Sequence, residues 1–95
     1  MRFEWDARKN RRNFKKHRIL FEVAQEVFDD PFCFTVVDQM VDDEERFWTI
    51  GRIESLSILV VVHTMYLKEE EEIVRIISAR GATPRERRFY EEIER

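Results

Sequence analysis

The spacing of apolar residues changes at Pro31. Upstream they recur every three or four positions and downstream they alternate or run together, so the pattern predicts helices first and strands afterwards. Leu20, Phe21, Ala24, Val27 and Phe28 form the stripe of a short helix packed on a core. Asp29-Asp30-Pro31 ends it, because the residue before a proline avoids the helical region. Residues 7–17 also predict a helix, with Asp6 as its N-cap. Asn10, Phe14 and His17 give that helix one weakly apolar face, while Arg8, Arg12 and Lys15 line another. Four strands are predicted at 32–37, 45–53, 57–66 and 72–80, all rich in β-branched and aromatic residues. Phe3 and Trp5 flank Glu4 in a short alternating piece that suits an edge strand.

The stretch 73–88, IVRIISARGATPRERR, ties these elements together. A strand carrying Arg75, Ser78 and Arg80 is broken by Gly81. Thr83, Pro84 and Glu86 then supply the N-cap, first-turn proline and returning carboxylate of a capping box, opening a last helix over 84–94. Residues 58–62 are apolar at every position, which places their strand centrally. Short links at 38–44, 54–55 and 68–71 indicate an antiparallel meander. The expected fold is α+β: a single domain over 1–95 with an antiparallel sheet of four strands, or five with the N-terminal piece, two N-terminal helices and one C-terminal helix.

Composition narrows the class. Charged residues make up 39% of the chain and there are two Gly and two Pro, which suits a compact fold with a highly charged surface. The single Cys33 has no second thiol for a disulfide or zinc site, pointing to a reducing cytoplasm and a small core residue. The longest apolar run is strand-sized and the N-terminus has no apolar signal core, so neither a membrane span nor a secretory leader is expected. The net charge of −3 conceals segregation: +6 over residues 1–18, −11 over 19–74 and +2 over 75–95. A basic face for a polyanion and an acidic region for a basic partner follow from this, as do two merely solvated faces.

Glycine-rich phosphate loops, HExxH, CxxC and nucleophile-elbow patterns are all absent, and no metal or cofactor site is expected. His63 lies in the central strand, where a core imidazole is the commoner role. Tyr90 reads as core with its hydroxyl at the rim, or as a catalytic hydroxyl. What remains is a constellation of Lys16, His17, Arg75 and Arg80, with Glu45 and Arg46 nearby if the sheet is ordered as proposed. Metal-free RNA cleavage needs a base for the 2′-hydroxyl, cations on the phosphate and an acid for the leaving oxygen. Lys16, Arg75 and Arg80 suit the phosphate, and His17 or Glu45 the proton. Arg8, Lys9, Arg12, Lys15, Arg46 and Arg85 are the candidate RNA contacts. Salt bridges to the acidic middle segment explain Arg75 and Arg80 equally well.

Four blocks in order, FEWDARKNRRNFKKH, FEVAQEVFDDPF, ERFWTIG and RIISARGAT, resemble the BrnT-type toxins of bacterial type II toxin–antitoxin pairs. The resemblance implies a small RelE-like ribonuclease that inhibits translation. It also implies a cognate BrnA-like antitoxin of ribbon-helix-helix type that holds the toxin inactive, contacts operator DNA on its behalf, and brings a homodimer within the complex. The chain departs from the pattern at Arg18, where a glycine is usual, at Leu20, where a small N-capping residue is usual, and at Gly81, where a cation is common. A hairpin glycine near Ser55 is also missing. The reading from another class is a non-catalytic interaction module whose acidic segment binds a basic antitoxin-like partner.

Overall fold

The structure, a computed structural model, describes residues 1–95. The elements are β1 (Arg2–Glu4), α1 (Ala7–His17), α2 (Phe21–Ala24), a 3-10 turn (Gln25–Asp29), β2 (Phe34–Val41), β3 (Glu44–Arg52), β4 (Ile58–Lys68), β5 (Glu71–Gly81) and α3 (Pro84–Glu94). They build one five-stranded sheet in the order β1-β5-β4-β3-β2. The uniformly apolar β4 is its middle strand, as expected. The sheet is mixed, which corrects the antiparallel four-stranded expectation: β1 joins as a fifth strand, parallel to β5, pairing Phe3 with Val74. A strand of three residues carries too little periodicity to reveal its partner or direction.

Two further differences have local causes. The second helix makes a single α turn before tightening into 3-10 geometry, and its N-cap Leu20 offers no side-chain oxygen to the first amides. β2 starts at Phe34 because Asp30 holds the residues before it, its Oδ1 accepting from Phe32 N at 2.9 Å and its carbonyl from Cys33 N at 3.0 Å. The long acidic turn shrinks to Asp42-Asp43, with φ of 51° and 63°. Glu69-Glu70 makes the other tight turn, with φ of 53° and 68°.

Strand alternation assigns each side chain to a face. On one face Leu59, Val61, Ile76 and Ala79 pack against Phe21, Ala24 and Val27. On the other, Ile50, Ile58 and Val60 pack against Ala82 and the fully buried Tyr90 of α3, with Phe34 and Trp48 at the margin. Gly51 faces the helices, and a Cβ there would stand 2.9 Å from Val27 Cγ1 and 3.0 Å from Val27 O. The 3-10 turn therefore needs a glycine beneath it. Gly81 has no such role, since its φ is not positive and nothing lies within 4 Å of a Cβ. β5 ends at this residue, where the run was expected to break.

Leu56 sits in the left-handed region at φ 77° while 70% exposed. An exposed leucine gains little from burial there and carries the steric cost of that conformation. Leu56→Gly should stabilise the protein by about 1 kcal/mol in urea unfolding at equilibrium. An unchanged midpoint would show that the 53–57 hairpin relaxes without strain.

Candidate nucleic-acid interface

α1 has almost no apolar surface with which to hold itself on the sheet. Amides replace it: the buried stripe is Asn10 and Asn13, whereas Phe14 is 38% exposed. Asn10 Oδ1 accepts from Phe21 N at 2.8 Å and its Nδ2 donates to Glu22 at 2.8 Å, fixing α1 to α2. Asn13 Nδ2 donates to Ile19 O and Ala79 O, each at 2.9 Å, and its Oδ1 accepts from Ala79 N at 3.1 Å. β1 pairs with β5 only as far as Arg75. Asn13 thus acts as a one-residue strand on the bare edge of β5 beyond that point, satisfying backbone groups that would otherwise be buried unpaired.

This docking sets the side chains three and four residues away. Lys9, Arg12 and Lys16 line a concavity of about 250 Å³ between α1 and β5, completed by Asn13, Ile77 and Ser78. Ile77 is the extra residue of a bulge, Val62 pairing with Ser78 and His63 with Ile76. Ser78 therefore lies on the α3 side of the sheet, in line with Arg75 and Arg80. Neighbours along one strand face stand about 7 Å apart, so Arg75 and Arg80 flank Ser78 along β5 without lining the groove.

The α3 side is open beyond Trp48 and Val62. There Arg46 and Thr64 fall in one row with Arg75. Arg46 Nε and Thr64 Oγ1 are buried without a protein hydrogen-bond partner, a costly arrangement. Arg75 is bridged to Glu4 at 3.7 Å and remains exposed. Arg80 is held harder, donating from both terminal nitrogens to Glu86 at 2.7 and 3.0 Å. Glu86 also accepts from Thr83 N, closing the capping box. Arg85 stands beside Phe34, Trp48 and Phe89 on the same side.

The expected constellation is brought together only in part. Lys16 is in the groove with Lys9 and Arg12, whereas Arg75 and Arg80 lie outside its lining on the same strand face as Ser78. Glu45 is not there: it neighbours Arg46 in the chain, so the two point to opposite faces, and it sits by the hairpin tip. His17 is exposed outside the groove lining, and Arg8 and Lys15 are on the solvent side of α1. Missed from the sequence were Asn13 as the clamp and Ser78 as a groove residue. The signal was two asparagines three apart on an otherwise cationic helix.

His63 is a core residue. It bonds Thr49 Oγ1 through Nε2 at 2.7 Å, lies between Phe28 and Phe47, and is pushed down to about 4 by burial. Tyr90 is likewise structural, donating to Asp30, which also accepts from Arg52 N at 2.7 Å. No group of three His, Cys, Asp or Glu side chains is placed to hold a metal ion. The largest concavity, about 570 Å³, lies elsewhere, between the 18–20 corner and the 53–57 hairpin. None of the candidate cations reaches it, and its Arg52 is committed to Glu94 at 2.8 Å.

A mixed sheet with three helices and a cationic groove at a helix–strand edge defines a small α+β protein. The chain belongs to the family of ribonuclease toxins, BrnT, of type II toxin–antitoxin systems, whose model matches residues 5–86. It is similar to the 1.1 Å crystal structure of the Brucella abortus ribonuclease toxin, BrnT, at 25% identity and a TM-score of 0.60, over 87% of this chain and 97% of that one. No curated protein sequence matches it. A toxin of this type has a cognate antitoxin as its partner. No helix is long and apolar enough to cross a membrane.

The Arg80–Glu86 pair makes stability depend on acid. Two hydrogen bonds from Arg80 pull the Glu86 carboxyl from an ordinary 4.5 down to about 2. Its stabilisation is therefore complete above about 4.5 and lost as the pH falls towards 2. Both partners are partly exposed, so solvent screening limits the effect. Glu86→Gln should cost about 1–2 kcal/mol at neutral pH, with the deficit closing in acid. Urea midpoints at neutral pH and near pH 3 measure both, and a deficit that persists unchanged in acid would contradict the assignment.

Proposed function

We propose that this chain is an endoribonuclease toxin of RelE-like architecture that cleaves RNA in the cytoplasm without a metal ion and is neutralised by its antitoxin. The observation that carries the reading is the groove in which Lys9, Arg12 and Lys16 meet Ser78 beside Arg75 and Arg80. A phosphodiester seated there gains cations on its non-bridging oxygens while the rest of the strand crosses the open face past Arg46, Trp48 and Arg85. Stabilising the charge of the pentacoordinate phosphorus is the largest service such a site gives.

Cleavage forms a bond from the 2′-oxygen to phosphorus and breaks the bond from phosphorus to the 5′-oxygen. The 2′-hydroxyl proton leaves to a base and the 5′-oxygen gains one. Of the two imidazoles only His17 is exposed, His63 being fully buried. His17 ends α1 outside the groove lining, and we assign it to proton transfer because it is the one imidazole open to solvent. Arg80 reaches phosphate only by exchanging Glu86 for it, which keeps that arginine neutralised until substrate arrives. The antitoxin of ribbon-helix-helix type, operator contact through it and pairing of toxins within the complex complete the reading.

Purified protein with RNA in excess EDTA should leave fragments with 5′-hydroxyl ends. The Lys9→Ala/Arg12→Ala/Lys16→Ala protein should lose at least about 100-fold in rate, and His17→Ala about 100-fold with RNA affinity retained. No cleavage by the parent in EDTA, or full activity in the triple variant, would overturn the reading.

A further inference from the structure

One end of the sheet carries apolar side chains that no element covers. On the helix side the cover stops at His63, on which Phe28 packs with ring centroids 5.1 Å apart. Beyond that point alternation places Val37 and Met40 of β2 and Leu67 of β4 on this same face, past the half-buried Phe47, stacked on His63, and Met65, packed against the core. Val37, Met40 and Leu67 are 58%, 63% and 74% exposed. Side chains of this size gathered on one patch, rather than scattered, mark a contact surface.

The surroundings select the occupant. Because β3 and β4 are antiparallel, the Asp42-Asp43 and Glu69-Glu70 turns project at the same end of the sheet. Glu45 and Glu72 stand on the apolar face itself, opposite Met40 and Leu67. RNA is repelled by such a rim. Two copies of this chain meeting there about a two-fold axis would set acid against acid.

We propose that this surface docks the cognate antitoxin through a basic segment that presents an apolar stripe, the stripe covering Val37, Met40 and Leu67 and the cations facing the hairpin tips. The proposal rests on the reading of the chain as a type II toxin. The surface is remote from the groove: Glu72 precedes Ser78 by six residues, about 20 Å along an extended strand. Antitoxin docking and phosphate binding therefore use different side chains.

Calorimetric titration of purified cognate antitoxin into toxin variants tests this. Met40→Glu/Leu67→Glu should weaken binding by about 10-fold or more. Asp42→Asn/Asp43→Asn/Glu69→Gln/Glu70→Gln should weaken it by about 10-fold at low salt and flatten its salt dependence. Lys9→Ala/Arg12→Ala/Lys16→Ala should bind within about 3-fold of the parent. All these positions are exposed, and far-UV circular dichroism reports whether each variant is folded. Unchanged affinity in the two surface variants, or loss of binding in the groove variant, would overturn the proposal. So would sedimentation showing that the toxin alone forms a dimer that Met40→Glu/Leu67→Glu dissociates. Failure of the ribonuclease reading would appear separately, as parent protein that does not cleave RNA while these affinities still read out.

Discussion

The side chain of Asn13 is the constraint on which the rest of this molecule depends. It closes two hydrogen bonds with the backbone of Ala79 across 66 residues of chain and a third with Ile19. A helix with eight basic residues in and around it has no apolar stripe strong enough to fix its rotation on a sheet. An amide that imitates a strand edge does so with directional bonds, and leaving Ala79 unpaired in the interior would cost about 1–3 kcal/mol. Once that rotation is set, helical spacing delivers Lys9, Arg12 and Lys16 to the edge of β5 as a consequence.

The two ends of the sheet then divide the labour. Near α1 and α3 both faces are covered, the strands are buried, and cations collect at the bulge beside Ser78. At the far end the cover stops, apolar side chains stay in water, and the two-residue turns are acidic. The segregated charge of the sequence, +6 over residues 1–18 against −11 over 19–74, is a spatial separation only in part: Glu22 bonds Asn10 of the basic helix, and Arg2 bridges Glu71 beside an acidic turn.

Much of this was legible in the chain. The limits of α1 and α3 were marked by Asp6 and by the Thr83-Pro84-Glu86 capping box, which act locally. The middle place of β4 followed from its unbroken apolar run. The departures at Arg18 and near Ser55 fall at or beside backbone that is left-handed, Arg18 at φ 61° and Leu56 at 77°. What could not be read depends on contacts distant in sequence. The parallel pairing of β1, the bulge at Ile77 and the partner of Asn13 are all settled by strands that periodicity cannot place. The order of the sheet was expected to bring both Glu45 and Arg46 near the other candidates, although adjacent residues of a strand face apart and so cannot share one face.

The most direct test of the clamp is the salt dependence of RNA affinity in Asn13→Ala protein that circular dichroism shows to be folded. The slope of log K against log salt counts the phosphates neutralised, about 0.7 per contact on a single strand. With the helix released, the slope should fall by about two, towards that of a protein lacking Lys9, Arg12 and Lys16. A folded Asn13→Ala protein that keeps the parent slope would show that the groove assembles without the amide, and would contradict the dependence described here.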